Sequence, residues 1–321
     1  MKDSFGREID YMRISLTDRC NLRCIYCRPE TQEYIPHSEI LRYEEILKVC
    51  RAAVISGINK FKVTGGEPLM RKGAVEFIGA LKSTEGVNCV TLTTNGLLLE
   101  SALPALAEAG IDGINISLNS LNDSTYESIT GRPGAKTVLK AVKACAESGV
   151  KTKINAVLLQ RNADELLSIA ALAEALYADV RFIELMPLGG GAELCGMSGA
   201  QAISVLKECY PDLERSDEIR GNGPAVYYTS ALLKGRIGII AANSSSFCAS
   251  CSRVRLTSTG KLKPCLCYQD GIDLKPVLRR GGSETDLSEA IKHAVNNKPA
   301  GHCFNDVKKV TERSAMNRIG G

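Results

Sequence analysis

The chain has 321 residues, of which 44% are hydrophobic and 24% are charged, and its formal net charge is +4. The length predicts either one large domain with a smaller appendage or two domains. The composition is typical of a globular protein and argues against a polybasic nucleic-acid-binding protein. We find no run of about 18 apolar residues and no charged-then-apolar leader, so the sequence predicts a cytoplasmic protein with neither a membrane segment nor a nucleic-acid partner.

The first predicted strand covers residues 11–16 and leads directly into a cysteine-rich loop. Cys20, Cys24 and Cys27 lie within eight residues of one another. A structural zinc ion takes four protein ligands, whereas an iron–sulfur cluster held by three thiolates keeps one iron open for a substrate or cofactor. The spacing therefore favours a 4Fe–4S cluster with one open iron. A zinc site that takes its fourth ligand from elsewhere stays an alternative.

From this strand onward, apolar strands alternate with amphipathic helices in units of roughly thirty residues. The predicted strands cover residues 11–16, 60–64, 89–93, 113–118, 153–159 and 180–184. The predicted helices cover residues 43–56, 72–83, 101–109, a pair within 123–148, and 163–177. This alternation indicates a parallel sheet with right-handed crossovers. The sequence thus predicts an α/β protein with a partial (β/α)6 barrel, whose chemistry lies at the C-terminal ends of the strands.

The strand–helix alternation ends near residue 188. We therefore predict a barrel domain over residues 1–188 and a C-terminal module over 189–321 that covers its open side. The module has predicted helices at 199–209 and 284–296, and predicted strands at 225–230, 235–241 and 253–257. It also carries a second cysteine group: Cys248, Cys251, Cys265 and Cys267. In a chain without a secretory leader, grouped cysteines favour metal ligands over disulfides.

Cationic residues occur within predicted strands that are otherwise apolar: Arg13, Lys62, Lys153 and Arg181. Any one of them could be a solvated or carboxylate-paired surface residue. Four of them on four barrel strands favour an anionic ligand, since an unpaired buried charge is costly. Arg253 and Arg255 alternate along one strand and so point to one face. A pocket wall needs this pattern, but an exposed edge strand would show it as well.

The second predicted strand ends in Thr64-Gly65-Gly66-Glu67-Pro68. Two glycines allow close approach of a ligand to the backbone, and the carboxylate of Glu67 can accept hydrogen bonds from an ammonium group. Alone, this segment would only indicate a tight turn ended by proline.

The three-cysteine loop with Tyr26, followed by this Gly-Gly-Glu-Pro turn, resembles the radical S-adenosylmethionine (SAM) superfamily. Five further segments narrow the resemblance to the GTP 3′,8-cyclase family of molybdenum-cofactor biosynthesis: residues 17–24, 93–96, 181–184, 247–256 and the final Gly320-Gly321. The resemblance extends over nearly the whole chain.

The resemblance implies two 4Fe–4S clusters. The first would be held by Cys20, Cys24 and Cys27, and its open iron would bind SAM. The second would be held by Cys248, Cys251 and Cys265, with Cys267 as an alternative to Cys265. The implied SAM site comprises Tyr26, Gly65, Gly66, Glu67, Asn95, Ser117 and Met186. The implied GTP site comprises Arg13, Lys62, Thr93, Lys153, Arg181, Arg253, Val254 and Arg255. The implied catalytic residues are Arg13, Arg253, Arg255, Gly320 and Gly321.

The implied reaction begins when a flavodoxin- or ferredoxin-like donor reduces the first cluster and SAM is cleaved. The resulting radical removes hydrogen from C3′ of GTP, and attack on C8 gives 3′,8-cyclo-7,8-dihydro-GTP. A downstream cyclic pyranopterin monophosphate synthase would use this product, and the resemblance allows a homodimer without specifying it. Lys62 departs from the family, which commonly has arginine there and thereby gains bidentate geometry. His302 receives no role.

Two other functions stay open on the sequence. A radical SAM enzyme that modifies peptides would also carry a C-terminal auxiliary cluster. A non-catalytic zinc or iron–sulfur protein would use the cysteines but would leave the Gly-Gly-Glu-Pro turn without a role.

Overall fold

Six parallel strands form the framework of the structure, a computed structural model that describes residues 1–28, 33–244 and 247–320. Their order in the sheet follows their order in the sequence. The strands are β1 (Tyr11–Ser15), β2 (Lys60–Thr64), β3 (Cys89–Thr94), β4 (Gly113–Ser117), β5 (Thr152–Leu158) and β6 (Ala178–Glu184). This is the arrangement expected of the predicted partial barrel.

Helices connect these strands and pack on the outer face of the sheet. They are α1 (Tyr43–Ile55), α2 (Ala74–Lys82), α3 (Leu99–Glu108), α4 (Asp123–Thr130), α5 (Ala135–Glu147), α6 (Leu166–Ala170) and α7 (Leu172–Ala175). The prediction of one helix over 163–177 is wrong, because a 3₁₀ helix (Gln160–Glu165) precedes two short helices there. Asn162 has non-helical dihedral angles, and its amide donates to the carbonyl oxygens of Asn119 and Val157. Such side-chain bonds compete with helical backbone bonds.

The C-terminal region adds strands to both edges of the barrel sheet, giving twelve strands in all among the described residues. They are β7 (Glu214–Ser216), β8 (Val226–Thr229), β9 (Ile237–Ile240), β10 (Arg253–Leu256), β11 (Lys261–Lys263) and β12 (Ile272–Asp273). β10 pairs in parallel with β1, and β9 pairs in parallel with β6. The domain boundary at residue 188 stays a prediction, since this sheet continues across it.

The described part of the C-terminal region also contains three α-helices: α8 (Gly199–Cys209), α9 (Lys275–Arg279) and α10 (Glu284–Asn296). α10 packs against α1, where the hydroxyls of Ser56 and Ser288 lie 2.8 Å apart. None of the helices in the described ranges is both long and apolar enough to cross a membrane.

Most side chains that the barrel strands direct outward are apolar, and most that they direct to the lumen are polar. Val157 and Ile183, which line the lumen, are exceptions. In β3, Val90 and Leu92 are fully buried under the helices, whereas Thr91 and Thr93 face the lumen. The alternation follows from the two-residue period of a strand. It brings the polar residues of every strand together inside the barrel.

Candidate active site

The loop after β1 carries Cys20, Cys24 and Cys27 at the C-terminal end of the barrel. Backbone bonds fasten it to the end of α4, where the N–H of Ile25 donates to the carbonyl of Ile129 at 3.0 Å. Burial, and then the neighbouring Cys20 thiol, raises the pKa of Cys24 to about 12. Burial and both neighbouring thiols also raise the pKa of Cys27. Binding of iron by these thiols would therefore release protons.

The thiol set of this loop fits a cluster held by three thiolates. All three sulfurs are close enough to influence one another's protonation. In the described part of the chain, no three His, Cys, Asp or Glu side chains form a group that could hold a single metal ion.

The Gly65-Gly66 turn packs directly against the start of the cysteine loop. The N–H of Gly66 donates to the carbonyl of Thr17 at 2.6 Å, and the N–H of Glu67 donates to that of Arg19 at 2.7 Å. A Cβ on Gly66 would lie 2.3 Å from the Arg19 carbonyl oxygen. Glycine is needed here because two backbone segments meet, and this contact fixes the position of the loop.

Glu67 is fully buried and accepts hydrogen bonds from its own chain. Its carboxylate accepts from the Thr94 hydroxyl at 2.8 Å, the Asn95 N–H at 2.7 Å and the Leu69 N–H at 3.0 Å. Burial raises its pKa to about 7, against these bonds. The side-chain amide of Asn95 in turn donates to the Cys20 sulfur at 3.7 Å. Glu67 thus positions the first thiol through Asn95, and its predicted contact with SAM stays a prediction.

Three other residues of the predicted SAM site, Tyr26, Ser117 and Met186, line a cavity of about 190 Å³ at the top of the lumen. The side-chain amide of Asn119 donates to the Tyr26 hydroxyl at 2.9 Å, and its oxygen accepts from the Val157 N–H at 2.9 Å. The sequence analysis missed Asn119, although its place just after a barrel strand was an available signal. The described lining of this cavity does not include the other predicted SAM-site residues: Gly65, Gly66, Glu67 and Asn95.

Cationic side chains gather in the same cavity: Arg13, Lys62, Arg181, Arg253 and Arg255. Burial, followed by the charges of Arg181 and Arg13, holds the pKa of Lys62 well below its ordinary value. Burial together with Arg13 and Arg253 does the same to the pKa of Arg255. Like charges that are buried together in a low-dielectric cavity raise the free energy of the folded protein, and a bound anion would neutralise them. The lumen is therefore suited to a polyanion such as a triphosphate.

Thr93 also lines this cavity, and its hydroxyl accepts from the Asn115 amide at 3.4 Å. Asn115 orients Arg181 as well, because its oxygen accepts from the Arg181 guanidinium at 2.9 Å. Val254 is different. It is fully buried on the opposite face of β10 from Arg253 and Arg255, so only its backbone could contact a ligand.

Lys153 lies near the N-terminal end of β5. It lines an adjoining cavity of about 620 Å³, which Lys62 and Arg181 also line. Its ammonium group lies 3.3 Å from the carboxylate of Asp179 and donates to the Tyr227 hydroxyl at 2.8 Å. The sequence analysis missed Asp179, although it precedes Arg181 by two residues and so shares its face. A phosphate that binds Lys153 would have to share it with this buried carboxylate.

The second group of thiols lies around β10 and β11. Burial alone would raise the pKa of Cys251. The positive charges of Arg253 and Lys298 outweigh this effect, so that the pKa of Cys251 is lowered to about 7. The ammonium group of buried Lys298 donates to the carbonyl oxygens of Arg253 at 2.8 Å and Pro264 at 2.6 Å. Sequence reasoning missed Lys298, because a single lysine after a helix gives no signal.

Cys265 is close enough to Cys251 and Cys248 that both thiols raise its pKa, which burial raises most. Cys267 is fully buried in an apolar cluster against which Cys265 also packs, but the sulfur of Cys267 lies 3.1 Å from that of Cys303. The geometry therefore favours Cys265 over Cys267 as the third member of this group.

The C-terminal tail returns to the top of the barrel. The N–H of Met316 donates to the Cys27 carbonyl at 2.9 Å, and the guanidinium of Arg255 donates to the carbonyl of Gly320. Gly320 has a positive φ of 74°, and a Cβ there would lie 3.1 Å from the Thr64 hydroxyl and 3.3 Å from Ser15 Cβ. Gly320 thus contacts one of the predicted catalytic arginines, Arg255, while Gly321 lies outside the described residues.

A partial barrel with three thiols after its first strand and a cationic lumen defines a radical SAM protein. In agreement, residues 14–173 match the Radical SAM superfamily. Residues 178–304 match the Molybdenum Cofactor Synthesis C family.

Curated relatives identify the particular family. The chain is 40% identical to the GTP 3′,8-cyclase of Clostridium perfringens (strain SM101), with 100% of both chains covered. It is 42% identical to that of Peptoclostridium acidaminophilum, over 99% of this chain and 98% of the relative. The chain therefore belongs to the GTP 3′,8-cyclase family, as the sequence motifs predicted.

Solved structures support the fold. SuiB of Streptococcus suis bound to S-adenosylmethionine matches with a TM-score of 0.66 and 15% identity, over 97% of this chain and 78% of that chain. Native anSMEcpe with bound AdoMet and a peptide matches with a TM-score of 0.60 and 16% identity, over 96% of this chain and 92% of that chain. These similarities confirm the predicted fold class.

Proposed function

We propose that this protein is a radical SAM enzyme that converts GTP to 3′,8-cyclo-7,8-dihydro-GTP, the first step of molybdenum-cofactor biosynthesis. The observation that carries the proposal is the cationic lumen between the two thiol groups. One cavity is lined by Tyr26, next to Cys27, and by Leu266, next to Cys265, with five cationic side chains between them. A nucleotide triphosphate could therefore contact residues from both thiol groups at once.

The two thiol groups would hold the cofactors. Cys20, Cys24 and Cys27 would bind the first 4Fe–4S cluster, and Cys248, Cys251 and Cys265 the second. When bound, the first cluster and SAM supply the one-electron chemistry that removes a hydrogen atom from the substrate sugar.

The chain's own residues would bind and orient GTP and exclude water. Arg13 and Arg255 are paired across β1 and β10, so their guanidinium groups enter the lumen side by side. Forked guanidinium groups suit phosphate oxygens, and Lys62 adds a point charge. Gly320 is buried and lies close to Ser15 and Thr64, at the ends of β1 and β2. Holding the reacting atoms together in a dry site is the protein's main contribution to such a reaction.

The electron donor is proposed to be a flavodoxin- or ferredoxin-like protein. Arg23, in the loop of the first thiol group, is exposed and offers a positive charge to such an acidic partner. Transfer of the product to a cyclic pyranopterin monophosphate synthase and a location in the cytoplasm are further parts of this proposal.

The proposal is tested by anaerobic incubation of the reconstituted, reduced protein with SAM and GTP, followed by mass spectrometry. We expect 5′-deoxyadenosine together with a cyclised GTP-derived product. Cys24→Ala should abolish both products, whereas Lys136→Ala, a change to a surface lysine that pairs with Asp123, should leave them unchanged. Formation of 5′-deoxyadenosine without any change in GTP would refute the substrate and direct the search to peptides.

A further inference from the structure

His302 lies against the second thiol group in a fixed orientation. Its ring stacks on Phe304, with ring centroids 4.7 Å apart, and contacts Phe247 at 5.6 Å. Its backbone N–H donates to the Cys248 sulfur at 3.2 Å. The imidazole therefore packs between two aromatic rings beside a thiol that the proposed function assigns to the second cluster.

The hydrogen bonds of the ring determine which nitrogen carries the proton. The backbone N–H of Phe304 donates to Nδ1 of His302 at 3.4 Å. Because Nδ1 accepts, the proton of the neutral ring resides on Nε2. Nε2 is buried and has no hydrogen-bond partner within residues 1–28, 33–244 and 247–320. A buried donor without an acceptor costs free energy, so this N–H needs a partner that the chain itself does not supply.

Arg7 holds the His302 segment in place. Its guanidinium donates to the carbonyl oxygens of Cys248 at 3.0 Å, Ala300 at 2.9 Å and Pro299 at 2.7 Å. Its charge is balanced by the buried carboxylate of Asp3 at 2.6 Å. The segment that leads to His302 is thus tied to the backbone of Cys248, which keeps this segment beside the second thiol group.

We propose that Nε2–H of His302 donates a hydrogen bond to the second iron–sulfur cluster, at a sulfide or a cysteine sulfur, and raises its reduction potential. The inference rests on the second cluster of the proposed function. Reduction adds negative charge to the sulfurs, so a donor aimed at them stabilises the reduced form. His302 would thereby tune the reduction potential of the cluster through a direct contact.

The test uses the full chain with Cys20→Ser, Cys24→Ser and Cys27→Ser, so that only the second cluster remains. His302→Phe keeps the aromatic packing but removes the donor. We expect its reduction potential, measured by EPR-monitored titration, to be lower. A tenfold loss of preference for the reduced form corresponds to about 59 mV for one electron. His302→Gln keeps an N–H donor, so its reduction potential should stay near that of the parent protein. His293→Phe, a control at an exposed position, should have the same reduction potential as the parent.

The outcomes separate the two proposals. A parent protein without iron would refute the second cluster and with it the proposed function. A His302→Phe protein with full iron and an unchanged potential would overturn the role of His302 alone. If the His302→Phe protein loses its iron, the His302→Gln protein becomes the test. Full iron and the parent reduction potential in His302→Gln would support the hydrogen-bond donor. Loss of iron from His302→Gln as well would overturn the proposal.

Discussion

Removal of Gly320 and Gly321 is expected to lower kcat while both clusters stay in place. The guanidinium of Arg255 donates to the Gly320 carbonyl inside the lumen, and this contact holds the tail at the ends of β1 and β2. A hydrogen bond from a charged donor contributes about 1.5–3 kcal/mol to the stability of the arrangement that contains it. If that bond is required in the reactive arrangement, its loss lowers kcat by roughly 10- to 150-fold.

A double-mutant cycle separates the tail from the other role of Arg255. Arg255→Met removes the tail contact and also one cation of the nucleotide cavity, so it should raise KM as well as lower kcat. When the tail is already absent, the same substitution should affect only nucleotide binding. The kcat effects of the two changes should therefore fail to add.

The assay is anaerobic turnover of GTP at saturating SAM, with iron and sulfide measured on every variant. Arg215→Met, at an exposed position in β7, serves as the matched arginine control. Additivity of the kcat effects to within about 0.5 kcal/mol would show that Arg255 does not act through the tail. Unchanged turnover after the deletion would refute the role of the tail itself.

Three further perturbations test other parts of the site. Cys265→Ser is expected to remove about half of the iron, and Cys267→Ser to retain all of it, as measured by iron and sulfide analysis. Gly66→Ala is expected to destabilise the fold by about 1–3 kcal/mol in denaturant unfolding, since its Cβ would lie 2.3 Å from the Arg19 carbonyl. GTP affinity, measured by calorimetry, is expected to fall as pH rises. Lys62 has a pKa well below its ordinary value and attracts phosphate only while protonated, so Lys62→Arg should flatten this profile.

Each of these expectations has a result that contradicts it. Equal loss of iron from both cysteine variants would show that the second group uses a different ligand set. Gly79→Ala is the control for Gly66, because its Cβ would meet only Ala109 at 3.5 Å. Equal destabilisation by the two glycine changes would argue against the backbone contact. A pH profile that is the same with lysine or arginine at position 62 would assign the titration to another group.

The fold was predictable wherever residue periodicity was uninterrupted. β2, α8 and α10 begin and end at the predicted residues. The helix predicted over 163–177 failed because Asn162 directs its amide to carbonyl groups on two other segments, a tertiary interaction that periodicity does not reveal. The strands β7, β11 and β12 contain two or three residues each, too few to show alternation.

The site was predictable to the extent that strand alternation determines which side chains face the lumen. Strand alternation is enough to predict that the five cationic side chains of the 190 Å³ cavity face the lumen. It does not reveal that Asp179 pairs with Lys153, that Lys298 faces Cys251, or that the carboxylate of Glu67 is occupied by its own chain. Each of these contacts joins residues from separate elements, so it depends on how the elements pack.

The pairing of β1 with β10 is the feature that joins the two halves of the site. Its register sets Arg13 opposite Arg255 and Tyr11 opposite Arg253. A slip of one residue would turn both arginines of β10 to the outer face. Val254 opposes Met12, and both side chains are fully buried on that outer face. The nucleotide contact predicted for Val254 stays a prediction. Its buried apolar side chain favours the register of β10 that directs both arginines into the lumen.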